Sequence, residues 1–191
     1  MKQKIILFAS GNGSNAENIF RFFEPHQDVE IAGVYTNNPK AGVITRLQPL
    51  KLQVEVFDRN AFQDGSLLSQ IQNKQPTLIV LAGFLWKIGQ DWVQAFPGKI
   101  INIHPALLPK YGGKGMYGQY VHQAVKDNRE TETGITIHYV NEAYDQGAII
   151  FQKKVSLHPD DSTEEIAAMV HQLEYAHFPK VIYSLLNKDN P

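Results

Sequence analysis

The sequence predicts an α/β fold in which a mostly parallel sheet carries helices on both faces and ends in an antiparallel edge near the C-terminal half. Three observations predict it. Short apolar runs alternate with longer amphipathic ones from Ile5 to His104, which is the rhythm of βα units. The first apolar run passes straight into the turn Ser10-Gly11-Asn12-Gly13-Ser14-Asn15-Ala16 and then into a helical pattern. After Pro105 the rhythm changes to two strand-like runs joined by one turn, a connection short enough to suit an antiparallel pair. Together these describe a Rossmann-like sheet.

Each element has its own signal. Ile5–Ser10 reads as a buried strand and Glu17–Phe23 as a helix stopped near Pro25. Val29–Thr36 is a second strand, ended by Asn37-Asn38-Pro39, and Lys40–Leu50 is a helix. Val54–Phe57 is a third strand and Ala61–Gln72 a helix. Thr77–Ala82 is the most apolar strand, which places it centrally. Ile88–Ala95 is a short helix and Lys99–His104 a fifth strand. Beyond the Gly-rich stretch Pro109–Gly118, Gln119–Asp127 is helical, and Gly134–Val140 and Ala148–Val155 are strands. Ser162–Leu186 is a long helix that Ser162 or Thr163 can cap, with Glu164 and Glu165 in its first turn. Pro179 should kink or split it.

The 191 residues suit one domain, and an apolar fraction of 43% is too high for disorder. The net charge of -1, with Lys and Arg spread thinly, argues against a nucleic-acid binder. With no cysteine, the chain has no thiol nucleophile, disulfide or zinc-thiolate site. The first apolar run is too short for a signal peptide, and no stretch is long enough to cross a membrane, so a cytoplasmic protein is expected.

The first loop fits the G-x-G-x-x-G/A pattern through Gly11, Gly13 and Ala16. A dinucleotide site also wants an acid at the end of the second strand, where this chain offers Asn37 and Asn38. A single phosphate on the helix N-terminus suits the loop better, and a tight turn with Ser14 as N-cap explains it equally well. In Ile100-Ile101-Asn102-Ile103-His104-Pro105, alternation puts Asn102 and His104 on one face and Ile101 and Ile103 on the other. Pro105 ends the strand, so this polar pair sits at a strand's carboxyl end, where open α/β sheets bind ligands. A buried pair satisfied by backbone groups is the plain alternative. Asp145 lies in the turn between the last two strands. It is either a turn-forming Asp or a carboxylate that pairs with His104 and raises its pKa. Lys110-Tyr111-Gly112-Gly113-Lys114-Gly115 is a flap, a phosphate contact or a flexible connection. His138 shares a strand face with Thr136, which leaves its role open.

The motifs Ser10–Asn15, Leu81–Phe84, Asn102–Pro109, Gly134–Val140 and Asp145–Gly147, in this order, resemble the folate-dependent formyltransferases over nearly the whole chain. Gly11-Asn12-Gly13-Ser14-Asn15 narrows the resemblance to the phosphoribosylglycinamide formyltransferases (the GAR transformylases of purine biosynthesis). The resemblance implies that Asn102, His104 and Asp145 are catalytic. It implies that Gly13, Ser14 and Asn15 hold the substrate phosphate and that Glu174 meets the ribose hydroxyls. It implies a 10-formyltetrahydrofolate site at Arg59, Leu85, Trp86, Lys87, Ile88, Asn102 and Asn141. The chain departs from the usual pattern at Trp86-Lys87, where Arg-Ile is common, and at Gly112–Gly118, where a Pro-Gly segment is common.

The activity so implied is transfer of a formyl group from 10-formyltetrahydrofolate to the amine of glycinamide ribonucleotide by direct attack. It needs no metal and takes small molecules as its partners, with no nucleic acid and no membrane, by a monomer or homodimer. The expected organisation is a single formyltransferase domain over 1–191, with a phosphate-binding half at 1–100 and a catalytic and folate-binding half at 101–191. Methionyl-tRNA formyltransferases and formyltetrahydrofolate deformylases resemble this domain but add a C-terminal or an N-terminal domain, for which the sequence offers no segment. A non-catalytic nucleotide-binding module would explain residues 11–15 and leave Asn102, His104 and Asp145 without a role.

Overall fold

Strand β1 (Gln3–Phe8) sets the frame, because its side chains are buried on both faces. Ile5 and Leu7 enter one core, and Ile6 and Phe8 the other. The structure, a computed structural model, describes residues 2–187, so the ends of the predicted 1–191 domain lie outside the described residues. On one side of β1 lie β2 (Val29–Thr36) and then β3 (Val54–Val56); on the other lie β4 (Leu78–Leu81) and β5 (Ile100–His104). All these pairs are parallel. β6 (Glu132–Tyr139) and β7 (Ile149–Ser156) extend the sheet antiparallel beyond β5, giving seven strands in the order β3-β2-β1-β4-β5-β6-β7. The mostly parallel sheet with an antiparallel edge is therefore as the sequence predicts.

The chain leaves β1 toward β2 and returns on the far side as β4. The helices that follow β1 and β4 thus lie on opposite faces of the sheet, and a crevice opens at the carboxyl ends of the strands. Helices α1 (Ser14–Phe23), α2 (Gly42–Leu47) and α7 (Thr163–Leu186) cover the face that holds Ile5, Val80, Ile101, Ile103 and Ile137. Helices α3 (Arg59–Gln63), α4 (Ser66–Lys74) and α5 (Gln90–Ala95) cover the face of Ile6, Phe8, Ile79 and Ile100. Helix α6 (Gln119–Asp127) packs on α7.

Two predicted helices differ from expectation for a local reason, and a third stays whole through a distant contact. The segment predicted as Lys40–Leu50 becomes α2 followed by a 3-10 turn at Gln48–Leu50, where Pro49 supplies no N–H and the turn tightens. The segment predicted as Ala61–Gln72 divides into α3 and α4 at Asp64-Gly65. Gly65 takes φ +84, and the carboxylates of Asp58 and Asp64 accept from the amides of Ala61 and Ser66. Helix α7 is not split at Pro179. Proline there cannot donate to the Tyr175 carbonyl, but Asn18 Nδ2 donates to it instead at 3.1 Å. At the other end Ser162 and Glu165 form a reciprocal capping box.

Candidate active site

The opening loop is held by Ser10. Its amide donates to the Gly83 carbonyl at 3.0 Å, and its hydroxyl donates to Asn37 Oδ1 at 2.7 Å and accepts from the Leu85 amide at 3.0 Å. One small buried side chain therefore ties the loops after β1, β2 and β4 together, and Asn37, placed where a dinucleotide fold carries an acid, has this structural task. Gly13 precedes α1 at φ +76, and a Cβ there would meet Val43 Cγ2, Cβ and Cα at 2.5, 2.6 and 2.7 Å. Ser14 is the first helical residue, so it does not cap the helix as the turn reading has it; its amide donates to Asn12 Oδ1 at 3.0 Å. Asn15 Nδ2 reaches across to Glu174 Oε2 on α7 at 2.8 Å, and Asn15 Oδ1 is buried with no partner. Burial raises the Glu174 carboxyl above the usual carboxylate range, against the hydrogen bond from Asn15 and the nearby His171.

The polar pair on β5 falls where alternation puts it. The β5–β6 register sets Asn102 beside His138 and His104 beside Thr136, so all four share a face. Asn102 Nδ2 lies 3.2 Å from His138 Nε2 and 3.5 Å from Asp145 Oδ1. Asp145 sits at φ +54 in the turn after β6, with Oδ2 3.6 Å from His104 Nδ1 and Oδ1 3.6 Å from His138 Nε2. Both readings of Asp145 therefore hold: its backbone makes the turn and its carboxylate meets the pair. His104 Nε2 lies 2.7 Å from the Tyr111 carbonyl.

The charge balance differs from the sequence reading in one respect. Burial pulls the His104 pKa below its ordinary value, although Asp145 and the Tyr111 carbonyl push it up. The imidazole is thus neutral in the free protein at neutral pH, where pairing with Asp145 alone suggests a charged ring. Burial would raise Asp145, but His138, His104 and the Gly113 amide outweigh it and hold the carboxyl below the usual range, so it stays ionised.

These groups line one cleft of about 520 Å³. Gly11–Asn15, Glu174 and His171 line it together with Asn102, His104, His138 and Asp145; Leu85–Ile88, Val140 and Asn141 supply further wall. The two predicted halves thus contribute to one site. Among the described residues no group of three or more His, Asp or Glu could hold a metal ion. The formyl transferase family profile matches residues 3–182. The chain belongs to the formyl transferase family.

Among its relatives, this formyl transferase is 37% identical to a phosphoribosylglycinamide formyltransferase of Bacillus subtilis, over 98% of this chain and 97% of that one. It is 36% identical to the phosphoribosylglycinamide formyltransferase of Haemophilus influenzae, over 94% and 85%. A crystal structure of phosphoribosylglycinamide formyltransferase from Bacillus halodurans superposes with a TM-score of 0.88 at 31% identity, over 98% of this chain and 97% of that chain.

Most predicted site residues of the formyl transferase meet in the cleft, and Arg59 does not. Its guanidinium stacks over the Trp86 ring at 4.3 Å and lines a shallower groove that shares Trp86 with the cleft. Lys110 faces away and pairs with Glu130 at 2.9 Å, while Gly113–Gly118 line the cleft. The roles of four residues are not assigned by the sequence. His171 lies one turn before Glu174 on α7, a spacing that could have found it. His122 on α6, 2% exposed, lies 6.4 Å from the His171 ring, with burial pulling its pKa down to about 4. Ser10 and the Tyr111 carbonyl carry no signal in sequence, since neither residue type announces the partner it finds.

Proposed function

We propose that the chain transfers the formyl group of 10-formyltetrahydrofolate to the amine of glycinamide ribonucleotide in de novo purine biosynthesis. The observation that carries the reading is the meeting of Asn102, His104 and Asp145 at the carboxyl end of β5, in one cleft with the opening of α1. The α1 opening offers the positive end of a helix to a phosphate at Gly13, Ser14 and Asn15, where the phosphate would take the place of Asn12 Oδ1 as acceptor for the Ser14 amide. Glu174, fixed by Asn15, is placed for ribose hydroxyls. The wall of Leu85, Trp86, Lys87, Ile88 and Asn141 combines apolar side chains with backbone polar groups, a donor set that fits a flat, amide-rich pterin. Arg59 and Trp86 together mark the outer end of that wall.

The amine attacks the formyl carbon of the folate directly, the bond from that carbon to N10 breaks, and tetrahydrofolate leaves with the proton that the amine gives up. Charge then grows on the formyl oxygen; Asn102 is one donor for it, and His104, whose Nε2–H is engaged by the Tyr111 carbonyl, becomes the other once Nδ1 takes up a proton; one such donor is worth on the order of 100-fold or more in rate. His104 is neutral at rest. A proton that it takes up at Nδ1 would lie beside ionised Asp145, which stabilises the charged ring. Holding both substrates in one cleft adds the advantage of proximity.

The small net charge supports small-molecule partners over nucleic acid. The reading includes a cytoplasmic location; no helix among the described residues is long and apolar enough to cross a membrane. A cleft fed by both halves supports a single domain. The exposed β7 edge, with Ile149 51% exposed, allows a homodimer as well as a monomer. The test is formylation of glycinamide ribonucleotide by purified protein with 10-formyltetrahydrofolate. Formylated product that requires the amine supports the reading, whereas free formate released without the amine points to a hydrolase.

A further inference from the structure

His104 is oriented by a single backbone carbonyl, and that carbonyl is held from outside the cleft. Because a carbonyl accepts and cannot donate, the 2.7 Å contact between His104 Nε2 and Tyr111 O means that Nε2 carries hydrogen. Nδ1, 3.6 Å from Asp145 Oδ2, is left as the nitrogen that gains and loses the proton. The tautomer of His104 is thus set by the place of the Tyr111 backbone. That backbone sits at φ +57, a strained conformation for a bulky aromatic residue, which persists where its surroundings hold it.

The holding contacts converge on Glu130. Tyr111 Oη donates to Glu130 Oε1 at 2.8 Å, and Lys110 Nζ donates to the same oxygen at 2.9 Å. The Glu130 amide is itself fixed on the Val125 carbonyl at the end of α6. On the other side of the turn, the Gly113 amide donates to Asp145 Oδ2 at 2.9 Å. Gly112 between them has no room for a side chain, since a Cβ would lie 2.6 Å from Leu108 Cδ2 and 3.2 Å from Asp145 Cβ.

We infer that Glu130 and the Tyr111 hydroxyl are positioning residues for the reaction: they hold the 110–113 turn so that the Tyr111 carbonyl fixes His104 as the Nε2–H tautomer. Neither touches the reacting atoms. The Glu130 pair with Lys110 lies at the surface, with the Lys110 side chain 68% and the Glu130 side chain 23% exposed, and such a pair contributes little to folding, whereas a misplaced tautomer disables a catalytic imidazole. A positioning role and a merely structural one therefore differ in what they predict.

The inference rests on the formyl-transfer reading only for its kinetic arm. The variants are Tyr111→Phe, Glu130→Ala, their double and the conservative Glu130→Gln. The first arm is the ring 15N spectrum of His104 in the free protein, assigned by its loss in His104→Asn. We expect the Nε2–H pattern in the wild type, a shift toward mixed tautomers in Tyr111→Phe and Glu130→Ala, and substantial recovery in Glu130→Gln. The second arm is kinetics. Roughly tenfold or greater loss of kcat is expected with both KM values near those of the wild type, and the double variant should be no worse than either single one. An Nδ1–H tautomer in the wild type, or an unchanged tautomer in folded Tyr111→Phe and Glu130→Ala, overturns the inference. A fall in kcat that follows only the unfolded fraction overturns it as well. Should the protein lack formyl transfer altogether, the spectroscopic arm still decides.

Discussion

Gly13→Ala tests whether the opening of α1 is built around one glycine. The added methyl meets two penalties. At φ +76 an alanine is disfavoured by roughly 1–2 kcal/mol relative to glycine. The methyl also overlaps Val43, a fully buried residue, with contacts of 2.5 Å to Cγ2, 2.6 Å to Cβ and 2.7 Å to Cα. Because Cα is among them, a new Val43 rotamer cannot relieve the overlap, and α2 must move away from α1. Overpacking of this kind costs about 1–3 kcal/mol. The sum is roughly 2–5 kcal/mol, which for a domain of this size lowers Tm by roughly 5–15 °C. The movement also displaces the amides proposed for the phosphate, so KM for glycinamide ribonucleotide should rise while KM for the folate stays near its original value. Adding Val43→Ala removes Cγ2 but leaves Cβ and Cα, so it should restore only part of the loss. Urea unfolding and steady-state kinetics on the three proteins decide. A Gly13→Ala protein within about 0.5 kcal/mol of the wild type, with unchanged KM, would refute the reasoning.

Other outcomes follow from the same geometry. Asn18→Ala leaves the Tyr175 carbonyl without a donor and should cost about 1 kcal/mol in urea unfolding; a compensating Pro179→Ala, which restores the helical N–H, should make the Asn18 change nearly neutral, and equal costs in both backgrounds would contradict this. His122, with a folded pKa of about 4 against an ordinary value of 6.5, binds its proton more readily in the unfolded chain. Stability should therefore fall as pH drops from about 6.5 toward 4, by at most about 3 kcal/mol from this group. His104, also lowered by burial, acts in the same direction, while Asp145 matters only below the ordinary carboxylate range. The His122→Leu protein should lose less stability across that window than the wild type, and parallel pH profiles would count against the assignment.

The parts of the fold legible in sequence are those with strict periodicity. β4 is apolar throughout because both its faces are covered, and β5 shows its two faces directly as Ile101 and Ile103 against Asn102 and His104. The catalytic face could be read for the same reason. Helix ends are less legible, because the α3–α4 break depends on the Asp58 side-chain cap, on the Asp64 carboxylate that accepts from the Ser66 amide, and on one left-handed glycine. That α7 runs on through Pro179 without a split is not legible in sequence, because Asn18, which serves the Tyr175 carbonyl, lies on another helix 161 residues earlier in the chain. The protonation of His104 is not legible in sequence, because a carboxylate neighbour is visible as a motif whereas the burial that outweighs it exists only after folding. Arg59 was placed by likeness, and packing gave it to the Trp86 ring.

The central claim is that Asn102, His104 and Asp145 stabilise the charge that develops as the amine attacks. Its most direct test is single-turnover formyl transfer with His104→Ala under saturating substrates. The account predicts a rate lower by about 100-fold or more with substrate affinities nearly intact. Transfer at close to the wild-type rate would contradict it.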